Sequence, residues 1–255
     1  MTKFSDLLRH WRQTRRLSQL DLAHHANVSA RHISFLETGR ARPSREMIVM
    51  LGEALSIPLS ARNQMLATMG FTPRYAARDW DEAAMAPMRR AINRTLDNHA
   101  PYPGIAIDRL WRLTRMNGPA QKMFGMLGLS EGSSMLDMLH NPLLWDMVEN
   151  WPEVAHHSML RLRTESAAQG GIPELDDAVT FLADHAKAGG DIGPAVPTTF
   201  KFGTQRLSMF GTIAQFGSPE DATLEELKIE LFFPADAQTE TALQAIFGNE
   251  TLVRP

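Results

Sequence analysis

The side chains with most chemistry to offer in these 255 residues are guanidinium groups and imidazoles. Arg112, Arg115, Arg161 and Arg163, with His156 and His157, can each present donors to an anion. An arginine fork meets a carboxylate through two parallel hydrogen bonds, which suits such a residue to hold the head of an acidic ligand. Spacing singles none of them out, and Arg161 and Arg163 also alternate as residues of a solvated face would. His24 and His25 are adjacent, and neighbours on a helix point about 100° apart, so they do not converge on one metal ion. His156, His157 and His185 leave open a haem or metal site of the redox-sensing or gas-sensing kind.

Catalytic patterns are missing. There is no cysteine, hence no disulfide, thiolate metal site or cysteine nucleophile. There is no Gly-rich phosphate loop, no His-Glu-x-x-His and no Gly-x-Ser-x-Gly elbow. The expectation is a binding protein, not an enzyme, that requires no metal and no cofactor.

The charges divide along the chain. Up to Arg78, twelve Lys or Arg stand against five Asp or Glu, whereas the remainder carries fourteen against twenty-four. The first part therefore favours phosphate and the second does not. Hydrophobic residues make up 44% and charged residues 22%, the composition of a globular protein. The opening MTKFSDLLRHWRQTRR lacks the apolar stretch of a signal peptide, and no apolar run reaches the ~18 residues of a membrane span. The expected location is the cytoplasm, with no membrane partner.

The elements that must position these groups can be read from periodicity and caps. Phe4, Leu7, Leu8 and Trp11 fall at helical spacing, which predicts a first helix to about Leu17 with Arg9, Arg12, Arg15 and Arg16 facing outward. Ser18 with Asp21 is a capping-box pattern and predicts a short helix from Gln19 to about His25. Ala26-Asn27-Val28 makes a turn. Ser29 then caps a third helix with Ile33 and Leu36 inward and Gly39 at its end. Pro43-Ser44 opens a fourth helix, and Leu59 to Met69 supports a fifth. Two short helices around a tight turn let the second enter a DNA major groove while the first braces it.

The run LSQLDLAHHANVSARHISFLETGRARPS resembles the helix-turn-helix of the Xre/Cro/phage-repressor family, a likeness covering about the first seventy residues. The resemblance implies a lambda-repressor-like, all-helical DNA-binding domain over 1–70. It places Ala30, Arg31 and Phe35 at base-facing positions, with Ser34 beside them and Ser29 as cap, and Gln19 at a phosphate. Arg40 and Arg42 follow the recognition helix as further basic contacts. Arg31 is best suited to read sequence, because its fork matches guanine O6 and N7. Readers of this kind use paired half-sites about one helical turn apart, so a homodimer on double-stranded operator DNA is expected.

After Gly70-Phe71-Thr72-Pro73, a helix is predicted from Asp79 to Asn98, inside a connector spanning 71–103. Ile105 to Asp108 and Trp111 to Arg115 read as two short strands, and Asn117 with Pro119 opens a helix through Phe124. Helices are predicted over Ser134–Leu144, Glu153–Arg163 and Leu175–Lys187, and strands over Thr198–Phe202, Arg206–Phe216 and Lys228–Phe233.

The order in IAIDRLWRLTRMNGPAQKMFG resembles the opening of a PAS-type sensor. With an Xre-type head, the chain resembles the MmyB-like ligand-binding regulators. The resemblance implies an α+β protein, with a PAS-like mixed α/β sensor over 104–255. It also implies a small apolar ligand of fatty-acid or acyl-thioester (acyl-CoA-like) kind.

Methionine adapts to irregular apolar surfaces, which suits Trp111, Met123, Met135, Met138, Trp145, Met147, Met159 and Met209 to line such a ligand, although methionine at helical spacing also suits plain core. The function expected is operator binding modulated by that ligand. A haem or metal sensor, and a protein-interaction repressor of antitoxin type, are the alternatives, the latter at odds with the long strand-rich second half.

Overall fold

The computed structural model describes residues 3–187, 195–203, 205–217 and 220–248. They gather into two compact units. One comprises Met1–Arg78, Glu165–Ile172 and Ser218–Glu225, the other Asp79–Thr164, Pro173–Gly217 and Glu226–Pro255. The expected sensor limit at 255 lies outside the described residues.

The first unit carries five helices: α1 (Phe4–Thr14), α2 (Gln19–His25), α3 (Ala30–Glu37), α4 (Arg45–Ala54) and α5 (Leu59–Thr68). Serines start three of them. The Ser18, Ser29 and Ser44 hydroxyls accept from the backbone N–H of Asp21, His32 and Met47, and Asp21 returns a bond to Ser18 N–H. Each cap satisfies a donor that the helix start would leave unpaired and contributes about 1 kcal/mol. Leu8, Leu22, Ile33, Leu36, Ile48 and Leu51 form the centre of the core, each burial stabilising by about 2 kcal/mol.

Two expectations need correction here. α1 stops at Thr14, short of Leu17, because Arg16 turns to φ 55° and Leu17 N–H bonds back to Arg12 O at 3.1 Å. Its arginines do not all point outward. Arg9 and Arg12 fold onto Glu37, and Arg15 donates to Leu55 O and Ser56 O at 2.9 and 3.0 Å. Helix C-terminal carbonyls and a buried carboxylate both need donors, and long arginine stems reach them.

The second unit is built on a five-stranded antiparallel sheet of order β2-β1-β5-β4-β3, with β1 (Gly104–Ile107), β2 (Leu113–Met116), β3 (Thr198–Phe202), β4 (Gln205–Ala214) and β5 (Lys228–Pro234). Around it run α6 (Ala86–Asn98), α7 (Gly118–Gly125), α8 (Met135–Leu139), α9 (Pro142–Met147), α10 (Trp151–Ala168, whose residues from Glu165 count with the first unit), α11 (Pro173–Ala183) and α13 (Ala237–Phe247). α12 (Ala222–Glu226) lies between β4 and β5 in the chain. This is the α+β, PAS-like organisation the resemblance implies.

Proline explains two departures from the expected helices. α6 begins at Ala86 instead of Asp79 because Pro87 fits a first turn and would break a helix interior. The single helix expected over Ser134–Leu144 is two, α8 and α9, split where Asn141 caps Leu143 N–H ahead of Pro142. α10 runs past its expected end, and α13 lies beyond the last element expected from the sequence.

Asn117 ties the sheet's start to its helices. It is buried; its Oδ1 accepts from Gly104 N–H and Ala120 N–H, and its Nδ2 donates to Leu96 O and Tyr102 O, all at 2.9 to 3.0 Å. Every main hydrogen-bonding capacity of the amide is engaged.

Candidate DNA-reading face and ligand cleft

In the first unit, α2 and α3 are locked by one carboxylate. Glu37, only 2% exposed, accepts from Arg12 at 2.6 and 2.9 Å and from Gln19 Nε2 at 2.8 Å, while Arg9 donates to its backbone carbonyl at 2.7 Å. Burial pushes the Glu37 carboxyl up, but the hydrogen bonds from Arg12 and Gln19 and the charges of Arg12 and Arg9 outweigh it. The carboxyl ends below its ordinary value. The same hydrogen bond raises Arg12. α1, α2 and the end of α3 therefore converge on one ion pair.

That frame presents α3. Arg31 is exposed, its guanidinium carbon 5.2 Å from the Phe35 ring centre, so the two residues form one basic and aromatic patch. Ser34 and Phe35 are half-buried, Ser29 is exposed at the helix start, and Ala30 packs its methyl against the core. Arg40 is exposed. Arg42 is also exposed but donates to Met69 O at 3.2 Å. Gln19 commits its amide to Glu37, so the structure ties this residue into the frame. Glu37 itself stands in the run that resembles the Xre/Cro helix-turn-helix, where the sequence assigns it no role.

In the second unit, a cleft of about 270 Å³ opens between one face of the sheet and α10. Period two sets one wall: Met209, Gly211 and Ile213 of β4 lie on one face, opposite Pro234, Phe232 and Glu230 of β5. Period 3.6 sets the other: Val154, His157, Ser158 and Arg161 share one face of α10. Val196 and Thr198 complete the lining.

Arg161 and Glu230 meet across the cleft, Nη1 at 3.0 Å from Oε1 and Nη2 at 3.2 Å from Oε2. The guanidinium stands 4.4 Å from the centre of the Trp111 ring. Ile213 is 47% exposed in this lining, an apolar surface that no side chain among the described residues covers fully.

A family model for the MmyB-like transcription regulator ligand binding domain matches residues 88–246. The chain belongs to this family. A model for the helix-turn-helix domain matches residues 3–65, so this MmyB-like chain joins a DNA-binding unit to a ligand-binding one and is a ligand-modulated transcription regulator.

Among solved structures, the PAS domain of BvgS from Bordetella pertussis is similar at 13% identity and a TM-score of 0.30, over 65% of this chain and 99% of that one. The PAS domain of an HTR-like protein from Haloarcula marismortui is similar at 11% identity and a TM-score of 0.28, over 62% and 99%. Neither likeness is close enough to carry an argument. No curated protein matches the chain.

Of the side chains expected to line a ligand in this MmyB-like regulator, Met209 lines the cleft and Trp111 stands beneath Arg161. Met123, Met135 and Met159 are buried, and Met138 and Met147 half-buried; none of these five lines the cleft. Trp145 stacks on Trp151 at 6.2 Å and meets His185 at 4.8 Å.

Of the candidate anchors, Arg161 and His157 line the cleft. Arg115 pairs with Glu131 at 2.8 Å, and Arg112 lines a second cavity of about 250 Å³ with Asp137, His140, Glu174 and Asp177. Among the described residues, no group of three or more His, Asp or Glu side chains is placed to hold a metal ion. No helix among them is long and apolar enough to cross a membrane.

Proposed function

We propose that this regulator reads operator DNA with α3, as a homodimer in the cytoplasm, and adjusts that binding to a small ligand held between α10 and the sheet. The observation that carries the reading is the cleft, which joins an uncovered apolar wall to a fixed pair of opposite charges within the ligand-binding domain. Such a combination of apolar surface and a few placed polar groups is what small-molecule sites are made of.

In this reading Arg31 contacts a base edge. Ser29, Ala30, Ser34 and Phe35 fit the surrounding groove, Gln19 holds the bracing helix in place beside the phosphates, and Arg40 and Arg42 meet the backbone. The ligand lays an apolar portion on Met209, Ile213 and Phe232 and turns a polar end toward Arg161. The acyl class implied by the family resemblance supplies an apolar portion of that kind. The chain carries out no catalysis in this reading.

A ligand can shift operator affinity only by its difference in affinity for the DNA-competent and incompetent states, typically ~1–3 kcal/mol, and operator must change ligand affinity by the same factor. The test is a selection of binding sites from random DNA, followed by titration of the selected operator with and without ligand. A selected sequence whose affinity changes about 5- to 150-fold with ligand, with the reciprocal change in ligand affinity, is expected. No selected sequence, or an affinity indifferent to every ligand that binds, overturns it.

A further inference from the structure

The cleft's charged end narrows the ligand further, an inference that rests on the cleft being the effector site. We propose that the effector is a small zwitterion with an apolar side, of the aliphatic α-amino acid type, whose carboxylate faces Arg161 and whose ammonium faces Glu230.

Both charges are held in place before any ligand arrives. Arg161 lies over Trp111, and Trp111 sits at φ 59°, a left-handed conformation that costs a non-glycine residue energy and persists only where its surroundings impose it. Asp108 imposes it, its Oδ1 accepting from Leu110 N–H and Arg112 N–H and its carbonyl from Trp111 N–H at 3.0 Å. On the other side, Glu230 presses against the bare backbone of Gly211, where a Cβ would come within 2.8 Å of Oε1.

A fixed positive and a fixed negative group side by side discriminate by charge. A simple carboxylate drawn to Arg161 meets the like charge of Glu230, and a simple amine drawn to Glu230 meets Arg161. A zwitterion matches both, and like-charge juxtaposition is the repulsive element on which specificity depends.

Size and the remaining lining agree. At about 270 Å³ the cleft falls just under the ~300 Å³ at which small-molecule pockets usually begin, which suits a molecule of amino-acid size better than a long chain. Among the described residues, the hydroxyls of Ser158 and Thr198 make no hydrogen bond, so both can serve the head group. Met209, Phe232 and Ile213 receive the apolar side.

The test is calorimetric titration of the full chain with L-leucine and L-methionine, with 4-methylpentanoate and 3-methylbutylamine, which each keep the apolar body and one charge, and with decanoate. At least one amino acid is expected to bind, with both single-charge analogues and decanoate at least tenfold weaker. Glu230→Gln should reduce the preference for amino acid over 4-methylpentanoate by about tenfold.

Binding by neither amino acid, or a single-charge analogue or decanoate binding as tightly, overturns the zwitterion and leaves the cleft reading standing if Ser158→Phe and Ile213→Asp abolish whatever does bind. Binding unaffected by both of those variants overturns the cleft reading itself. Ile213 is exposed, so its substitution spares the core, and thermal melting of each variant confirms the fold.

Discussion

Two ion pairs, one in each unit, are built from the same groups and end in different surroundings. Arg12–Glu37 is sealed: the carboxylate side chain is 1% exposed, and its oxygens are taken up by Arg12 and Gln19. Arg161–Glu230 borders a cleft, with side chains 25% and 13% exposed and solvent access along one side. The sealed pair cannot exchange partners, so it acts as a joint that holds two helices at a set angle. The pair beside the cleft can, so it is available for recognition. The difference lies in access, and the residue types alone do not disclose it.

The sharpest way to break this comparison is to remove Glu37. Glu37→Ala should leave the Arg12 charge and the Gln19 amide without their buried partner and cost about 3 kcal/mol of helix-turn-helix stability, read from urea unfolding. A loss near zero would show that the joint is ornamental.

Acid should do the same reversibly. The folded Glu37 carboxyl lies below its ordinary value, so its contribution is fully present above the usual carboxylate range and is lost as pH falls through the depressed folded value. Stability of the wild-type helix-turn-helix should therefore decline on acidification more steeply than that of Glu37→Gln, checked by melting temperature from neutral pH downward.

A smaller effect is expected at the reading face itself. Arg31→Ala should relax preference at one operator position by about 2 kcal/mol, whereas Arg40→Ala should weaken all sequences alike and lower the salt slope by about 1. Site selection with each variant separates the two, and an unchanged preferred sequence removes Arg31 from base reading.

Glu230→Gln should cost least, about 1 kcal/mol of stability, because its pair keeps contact with solvent. A loss in urea as large as that of Glu37→Ala would erase the distinction between the pairs.

The helix-turn-helix was legible because its signals are local. Serine caps at 18, 29 and 44 and the glycine at 39 each act within a few residues, and the structure returns the short helices they predict. The fate of Arg9, Arg12 and Arg15 was not legible, since the partners Glu37, Leu55 and Ser56 lie 25 to 41 residues away.

The cleft shows the same limit. The strands over Arg206–Phe216 and Lys228–Phe233 were visible, but which face meets α10 depends on the register between paired residues 15 to 25 positions apart. Met209 was named among the lining residues because methionine suggested a cavity. Gly211 and Glu230 carried no such signal, and only the pairing of β4 with β5 brings them together. α13 went unseen although Asp236 caps it, its side chain accepting from Thr239 N–H.

Asn117 has a consequence of a different kind, on the scale of days. It precedes Gly118, a pairing in which the following amide nitrogen readily attacks an unprotected asparagine side chain, expelling ammonia to form a cyclic imide that water opens to isoaspartate or aspartate. Here the amide is buried and held by four hydrogen bonds, so the folded chain shields it, and only molecules that open locally are exposed. Once converted, the new carboxylate could not donate to Leu96 O or Tyr102 O and would bring an unpaired charge into the interior, which opposes refolding. The residue thus acts as a one-way recorder of the fraction of time the start of the sheet spends open, and its conversion during storage, followed by mass, reports that fraction.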